Sequence, residues 1–123
     1  MKVFLSPAKN MRAAPAMLQG MPEGHAPRYL YKTEALAASL QRKAPYELES
    51  ILQTSPQIAL RAAALYQEWT NEGGVPAILA YDGLAYKHLQ AETLSLHDFA
   101  FAQEHMRLFS AFYGPLRPLD AIR

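Results

Sequence analysis

Short apolar runs along the chain alternate with breaks marked by proline and glycine. The run KVFL ends at Ser6-Pro7 and predicts a buried strand leading into a loop. Between Pro7 and Arg28, Pro7, Pro15, Pro22 and Pro27 with Gly20 and Gly24 exclude one regular helix and predict a long connection. Thr33 stands as a cap for a helix over EALAASLQRK, in which Leu36 and Leu40 are four apart and Arg42 and Lys43 suit the negative end. Pro45 stops that helix. Pro45 and Pro56 each read as a first helical residue, opening PYELESILQ and, after Ser55 as cap, PQIALRAAALYQEW, which Gly73-Gly74 closes. The stripe Ile58, Ala62, Leu65 and Trp69 predicts a packing face, with Trp69 in the core or at its rim. AILAY, residues 77 to 81, predicts a second apolar strand; Asp82-Gly83 reads as a turn, and a short helix begins near Tyr86.

The strongest helix signal starts at Ser95, whose hydroxyl can cap the Asp98 amide while the Asp98 carboxylate reaches back, with Leu94 and Phe99 at staple positions. Phe99, Ala102, Met106, Phe109 and Tyr113 then form one stripe, widened by Phe101, Leu108 and Phe112, with Arg107 on the remaining face. Gly114 is placed to end this helix in a left-handed conformation, and Pro115 prevents continuation, so FYGPLRPLD reads as a helix end and a sharp turn. Such a turn can offer amides to a phosphate, with Arg117 adding a charge-assisted bond. In the plainer alternative Tyr113 and Leu116 pack, and Arg117 pairs with a carboxylate such as Asp120.

With 123 residues, 50% of them hydrophobic and 19% charged, the chain suits one globular domain. No apolar run reaches the roughly 18 to 20 residues of a membrane span, and the first residues lack a signal-peptide pattern, so no membrane partner and a cytoplasmic location are expected. The absence of cysteine removes disulfides, thiolate metal sites and a cysteine nucleophile. The net charge of +1 hides an uneven layout. Residues 1 to 43 carry seven basic side chains against Glu23 and Glu34; residues 44 to 105 carry Arg61 and Lys87 against eight acids; residues 106 to 123 carry three arginines against Asp120. If the two basic ends meet, they form a surface that attracts phosphate; scattered solvated charges are the plainer reading.

Two further chemistries are open. Ser6 and Lys9 lie three apart, and a lysine of lowered pKa can activate a serine hydroxyl, with Tyr86 or Ser110 completing a pocket; SPAK can equally end a strand and bind an anion. His88, Glu92, His97, Glu104 and His105 supply iron-compatible atoms without a tight facial triad. His105, between Phe101 and Phe112, reads as a hydrogen-bonded core histidine and His97 as solvated, so neither a metal site nor a cofactor is expected.

SPAK (Ser6 to Lys9), AILAYDGLAY (Ala77 to Tyr86), LQAET (Leu89 to Thr93), FAQEHMR (Phe101 to Arg107) and YGPLRPLD (Tyr113 to Asp120) follow the order and approximate spacing of the YaaA-like peroxide-stress proteins. The chain resembles that family over its whole length, least well after Asn10, and the resemblance stops at Arg123, where family members continue into a further basic half. It therefore implies that residues 1–123 are the N-terminal portion of a YaaA-like domain, truncated after Arg123. The fold it implies is α+β, with short strands and several helices. It also implies binding to double-stranded or structured DNA and protection against iron-dependent peroxide damage. The family's DNA-associated helix-hairpin-helix element falls on Phe109 to Ile122, although Ala111 stands where glycine is usual and Pro115 removes an amide. On this reading Lys9, Arg107 and Arg117 contact phosphates and Gly114 permits close approach, giving affinity without base readout. A further half that normally covers this one would leave Phe101, Phe109 and Phe112 exposed here and promote self-association.

Overall fold

A computed structural model of the chain describes residues 1–12 and 19–123. The fold is α+β, and the chain divides into two compact units, residues 30–71 and the remainder. Pro15 of the expected proline-rich connection lies outside the described residues.

The unit of residues 30–71 holds three helices: α1 (Leu30–Gln41), α2 (Pro45–Leu52) and α3 (Pro56–Glu68). Pro45 and Pro56 both open helices as expected, because a first-turn position needs no amide donor. The Ser55 hydroxyl accepts from the Ile58 amide at 3.4 Å, and the Glu47 carboxylate accepts from the Ala44 amide at 2.7 Å. α1 begins three residues before Thr33, which is buried inside it and is not its cap. α3 ends at Glu68, well short of Gly73.

The face that α3 buries also differs from expectation. Ile58 and Leu65 are 54% and 61% exposed, whereas Ala59 is fully buried and Ala62, Ala63 and Tyr66 are half-buried. Small alanines let a helix axis approach its neighbour closely, so α3 packs through its narrow side and leaves the larger residues outside. Gln41 ties the ends of α1 and α3 together: its side chain donates to the Tyr66 carbonyl at 2.7 Å, and its own carbonyl accepts from Gln67 at 2.6 Å.

The other unit contains β1 (Val3–Leu5), β2 (Asn10–Met11), β3 (Val75–Pro76), α4 (Ala77–Ala80), β4 (Tyr81–Asp82), α5 (Leu84–Leu89), α6 (Leu96–His105), β5 (Met106–Ser110), β6 (Gly114–Leu116) and β7 (Ala121–Ile122). β5 lies between β1, which it pairs in parallel, and β6, which it pairs antiparallel. β2 pairs with β4 and β3 with β7, both antiparallel. The connection after Pro7 is therefore interrupted by a strand. The apolar run at residues 77 to 81 is mainly the short α4, with β3 just before it and strand within it only at Tyr81. Ile78, Leu79, Ala91, Phe99 and Leu119 form a core cluster, flanked by Met21, Leu89, Leu94 and Met106.

α6 starts with the expected reciprocal cap: the Asp98 amide donates to Ser95 Oγ at 3.1 Å and the Ser95 amide to Asp98 Oδ2 at 2.9 Å. The backbone and side-chain bonds from Ser95 hold the Asp98 carboxyl below its ordinary value. The helix does not continue to Tyr113. It stops at His105, and the residues read as its second half form the β5–β6 hairpin. Met106 to Ser110 also fits a period of two, with Leu108 buried and Arg107 and Phe109 facing the other way. Pairing with β1 and β6 satisfies both of its edges.

The segment Phe109 to Ile122 is therefore a strand hairpin, a turn and β7, and the helix-hairpin-helix expectation is corrected. Gly114 keeps the left-handed backbone foreseen for it, at φ +77°, but as the closing residue of a β-hairpin. Ser110 Oγ accepts from the Phe112 and Tyr113 amides at 3.2 and 3.1 Å and holds the tip of that hairpin.

After β6, the Asp120 carboxylate, with no solvent exposure, accepts from the Arg117 amide at 2.8 Å and from Arg117 Nε at 3.0 Å, and lies 2.9 Å from Arg117 Nη2. The Asp120 carbonyl accepts from Ala77 at 2.8 Å, and His25 bridges the same segment through Leu119 and Ala121. Asp120→Asn removes the charge that this fork faces. Because Arg117 is partly solvated, the expected loss is about 2 to 3 kcal/mol, below that of a fully buried pair. Urea unfolding should show a lower midpoint with unchanged slope; a midpoint equal to that of the parent chain would show the pair to be dispensable.

Candidate functional site

β1 runs directly into Ser6, and the next four residues reach β2. Phe4 to Ala8 form one wall of a groove of about 420 Å³, and Gly83, Leu84, Ala85 and Tyr86 form the other. The walls meet where Gly83 passes Ala8: a Cβ on Gly83 would stand 2.9 Å from the Ala8 Cβ, so the contact requires glycine. Asp82-Gly83 read from sequence as a turn; here the glycine opens α5 and lets SPAK approach it.

Tyr86 is buried and donates its hydroxyl to the Ser6 carbonyl at 2.6 Å, fixing the loop to α5. Burial first, and then the neighbouring Tyr81, push the Tyr86 hydroxyl up to about 12. The two rings lie 5.3 Å apart. Burial also raises Tyr81, partly opposed by a side-chain hydrogen bond with Ser110. Ser6 and Tyr86 are thus brought together, and Ser110 is linked to them through Tyr81, which sequence reasoning did not single out. Ser110 does not line the groove, and the Tyr86 proton is committed to a carbonyl. Among the described residues no base is hydrogen-bonded to the Ser6 hydroxyl, so the geometry assembles no serine–lysine pair. Lys9 lies beyond the groove, exposed, and pairs with no carboxylate among the described residues.

The other two expected phosphate contacts are half-buried and engaged by the chain itself. Arg107 Nη1 donates to the carbonyls of Gln103 at 2.9 Å, Met106 at 2.7 Å and Glu104 at 3.5 Å, closing the C-terminal end of α6. Arg117 is held by Asp120 and also donates to the Ala26 carbonyl at 3.3 Å, the arrangement weighed as the plainer alternative. A Cβ on Gly114 would meet the Tyr29 ring at 3.5 Å. His105 lies at the end of α6, its ring 4.3 Å from that of Phe101 and its Nδ1 2.9 Å from the Met1 carbonyl. His88, Glu92 and His97 are exposed, and no three histidine or acidic side chains among the described residues converge on a metal position. No helix among the described residues is long and apolar enough to cross a membrane.

Tyr86→Phe tests the tie between loop and α5. Loss of the bond to Ser6 should cost about 1 kcal/mol at neutral pH. The folded hydroxyl ionises near 12 and the ordinary one near 10, so its contribution is complete below pH 10 and disappears as pH rises towards 12. Denaturation followed from pH 8 upwards should fall less steeply in the variant over that window; identical curves would refute the assignment.

The family described as peroxide stress protein YaaA matches residues 1–123. UPF0246 proteins of Verminephrobacter eiseniae, Parabacteroides distasonis and Bacteroides thetaiotaomicron are 37%, 38% and 39% identical to this chain. Each alignment covers 100% of the chain and 48% of the relative, so the chain spans about half the length of these proteins. The groove-forming SPAK and DGLAY segments, the hairpin and the Arg117–Asp120 pair all lie within this match, and the chain belongs to the YaaA peroxide stress protein family.

Proposed function

We propose that this chain supplies part of a DNA-associated activity in peroxide defence, by which the family's proteins limit iron-dependent damage. Membership of a peroxide-stress family supports the process. The observation that supports the DNA contact is Lys9, an exposed cation on a loop anchored by Tyr86 and without a carboxylate partner among the described residues. An ammonium group placed in this way attracts a phosphate oxygen whatever the base, giving affinity without sequence readout.

The contact set is smaller than the four residues proposed from sequence. Arg107 and Arg117 are engaged with carbonyls and Asp120, and the Phe112 and Tyr113 amides at the hairpin tip already donate to Ser110. Lys9 is the principal contact, and Gly114 preserves the shape of the hairpin. Each phosphate neutralised steepens the salt dependence of binding, so one principal cation implies weak binding with a shallow slope.

Fluorescein-labelled duplex DNA titrated with the 123-residue chain at two salt concentrations tests this reading by anisotropy. Saturable binding that weakens with salt is expected. Lys9→Ala should lower affinity several-fold and reduce the salt slope by about one. A folded chain that does not bind, or a Lys9→Ala chain that binds equally well, would overturn the proposal.

A further inference from the structure

We infer that the groove beside β1 receives an extended strand, supplied by the half of the family's polypeptide that lies beyond the matched region. In the strand order β1-β5-β6, β1 is an edge with a strand on one side only. Such an edge presents backbone N–H and C=O groups to any extended segment, and proteins commonly blunt it with charge, proline or a bulge. Val3-Phe4-Leu5 carries none of these, and the neighbouring Lys2 directs its ammonium to the Glu104 carbonyl at the end of α6.

The groove suits backbone better than a small polar ligand. Its side chains are apolar except for Ser6 and Tyr86, and the Tyr86 proton is already bonded. By strand register and alternation, Phe4, Arg107, Phe109 and Pro115 share one face of the sheet. Phe4 is 60% exposed and Phe109 43%, their rings 5.4 Å apart; Leu84 on the opposite wall is 75% exposed. An added strand would bond the open edge through its backbone and seat alternate side chains on Phe4 and Leu84.

The length of the relatives identifies the occupant. All 123 residues align with 48% of the Verminephrobacter eiseniae protein, which leaves about half of that polypeptide to cover this surface. A three-residue edge makes few hydrogen bonds, so it favours a partner tethered at high effective concentration over a free second copy. The inference does not depend on Lys9, which lies outside the groove.

Hydrogen exchange on the intact Verminephrobacter eiseniae relative and on the 123-residue chain tests it. The amides of Val3 to Leu5 that do not bond β5 should exchange at least tenfold faster in the chain than their aligned counterparts in the relative. Adding the relative's remaining half as a separate polypeptide should slow them, and Phe4→Glu or Leu84→Glu should abolish that slowing without changing the circular dichroism of the chain. Equal rates in the relative and the chain would overturn the inference. So would protection that grows with concentration in the chain alone, which identifies a second copy as the occupant. Should the separate half not fold, the intact relative still decides the result.

Discussion

The Asp120 carboxylate has no access to water, and the segment from Leu116 to Arg123 is organised around it. A buried carboxylate is tolerated only when charge and hydrogen bonds replace its hydration. Arg117 supplies both, through its own amide and its guanidinium. With the side chain so held, the Asp120 backbone is positioned to accept from Ala77, and β7 can pair with β3. Tyr113 completes the closure: its hydroxyl donates to the Arg123 carbonyl at 3.2 Å and accepts from the Arg123 amide at 3.0 Å. Ile122 is therefore held in the core, and Arg117, which the sequence offers as an anion contact, is bonded to Asp120.

The same balance of desolvation and pairing governs the other cations. At the end of α6 the last carbonyls lack intrahelical donors, and Arg107 supplies them from the start of β5. Lys2 and His105 contribute at the same place, where the N-terminus meets the helix end. Cations that appear available to phosphate in a linear reading are used to satisfy carbonyls and a carboxylate. Lys9 remains outward because β1 and β2 fix the two ends of its loop while its own side chain faces solvent.

SPAK and DGLAY are a single structural unit. Gly83 is small enough to lie against Ala8, and Tyr86 reaches across to the Ser6 carbonyl, so the loop after β1 and the start of α5 hold each other in place. This accounts physically for two of the segments that carry the family resemblance: each is needed for the shape of the other. It also commits the Tyr86 proton to the Ser6 carbonyl, in a groove whose side chains are apolar apart from Ser6 and Tyr86.

Local signals determined much of the chain. Proline at first-turn positions, the Ser55 cap and the Ser95–Asp98 reciprocal cap act over three or four residues, and each stands where the sequence places it. The glycine at 114 was likewise legible as a left-handed position. The element surrounding it was not, because Phe99 to Tyr113 fits a helical stripe while its second half also fits a strand. Only β1, about a hundred residues earlier in the chain, and β6 decide between them, by bonding the backbone of Met106 to Ser110. The outward face of α3 escaped for a related reason, since small alanines gain by close approach what the larger Ile58 and Leu65 offer by area. In the site, the residue types were visible in sequence. Which cations are engaged by the chain itself was settled by tertiary structure alone, because a buried carboxylate and unpaired carbonyls must find donors from wherever the fold brings them.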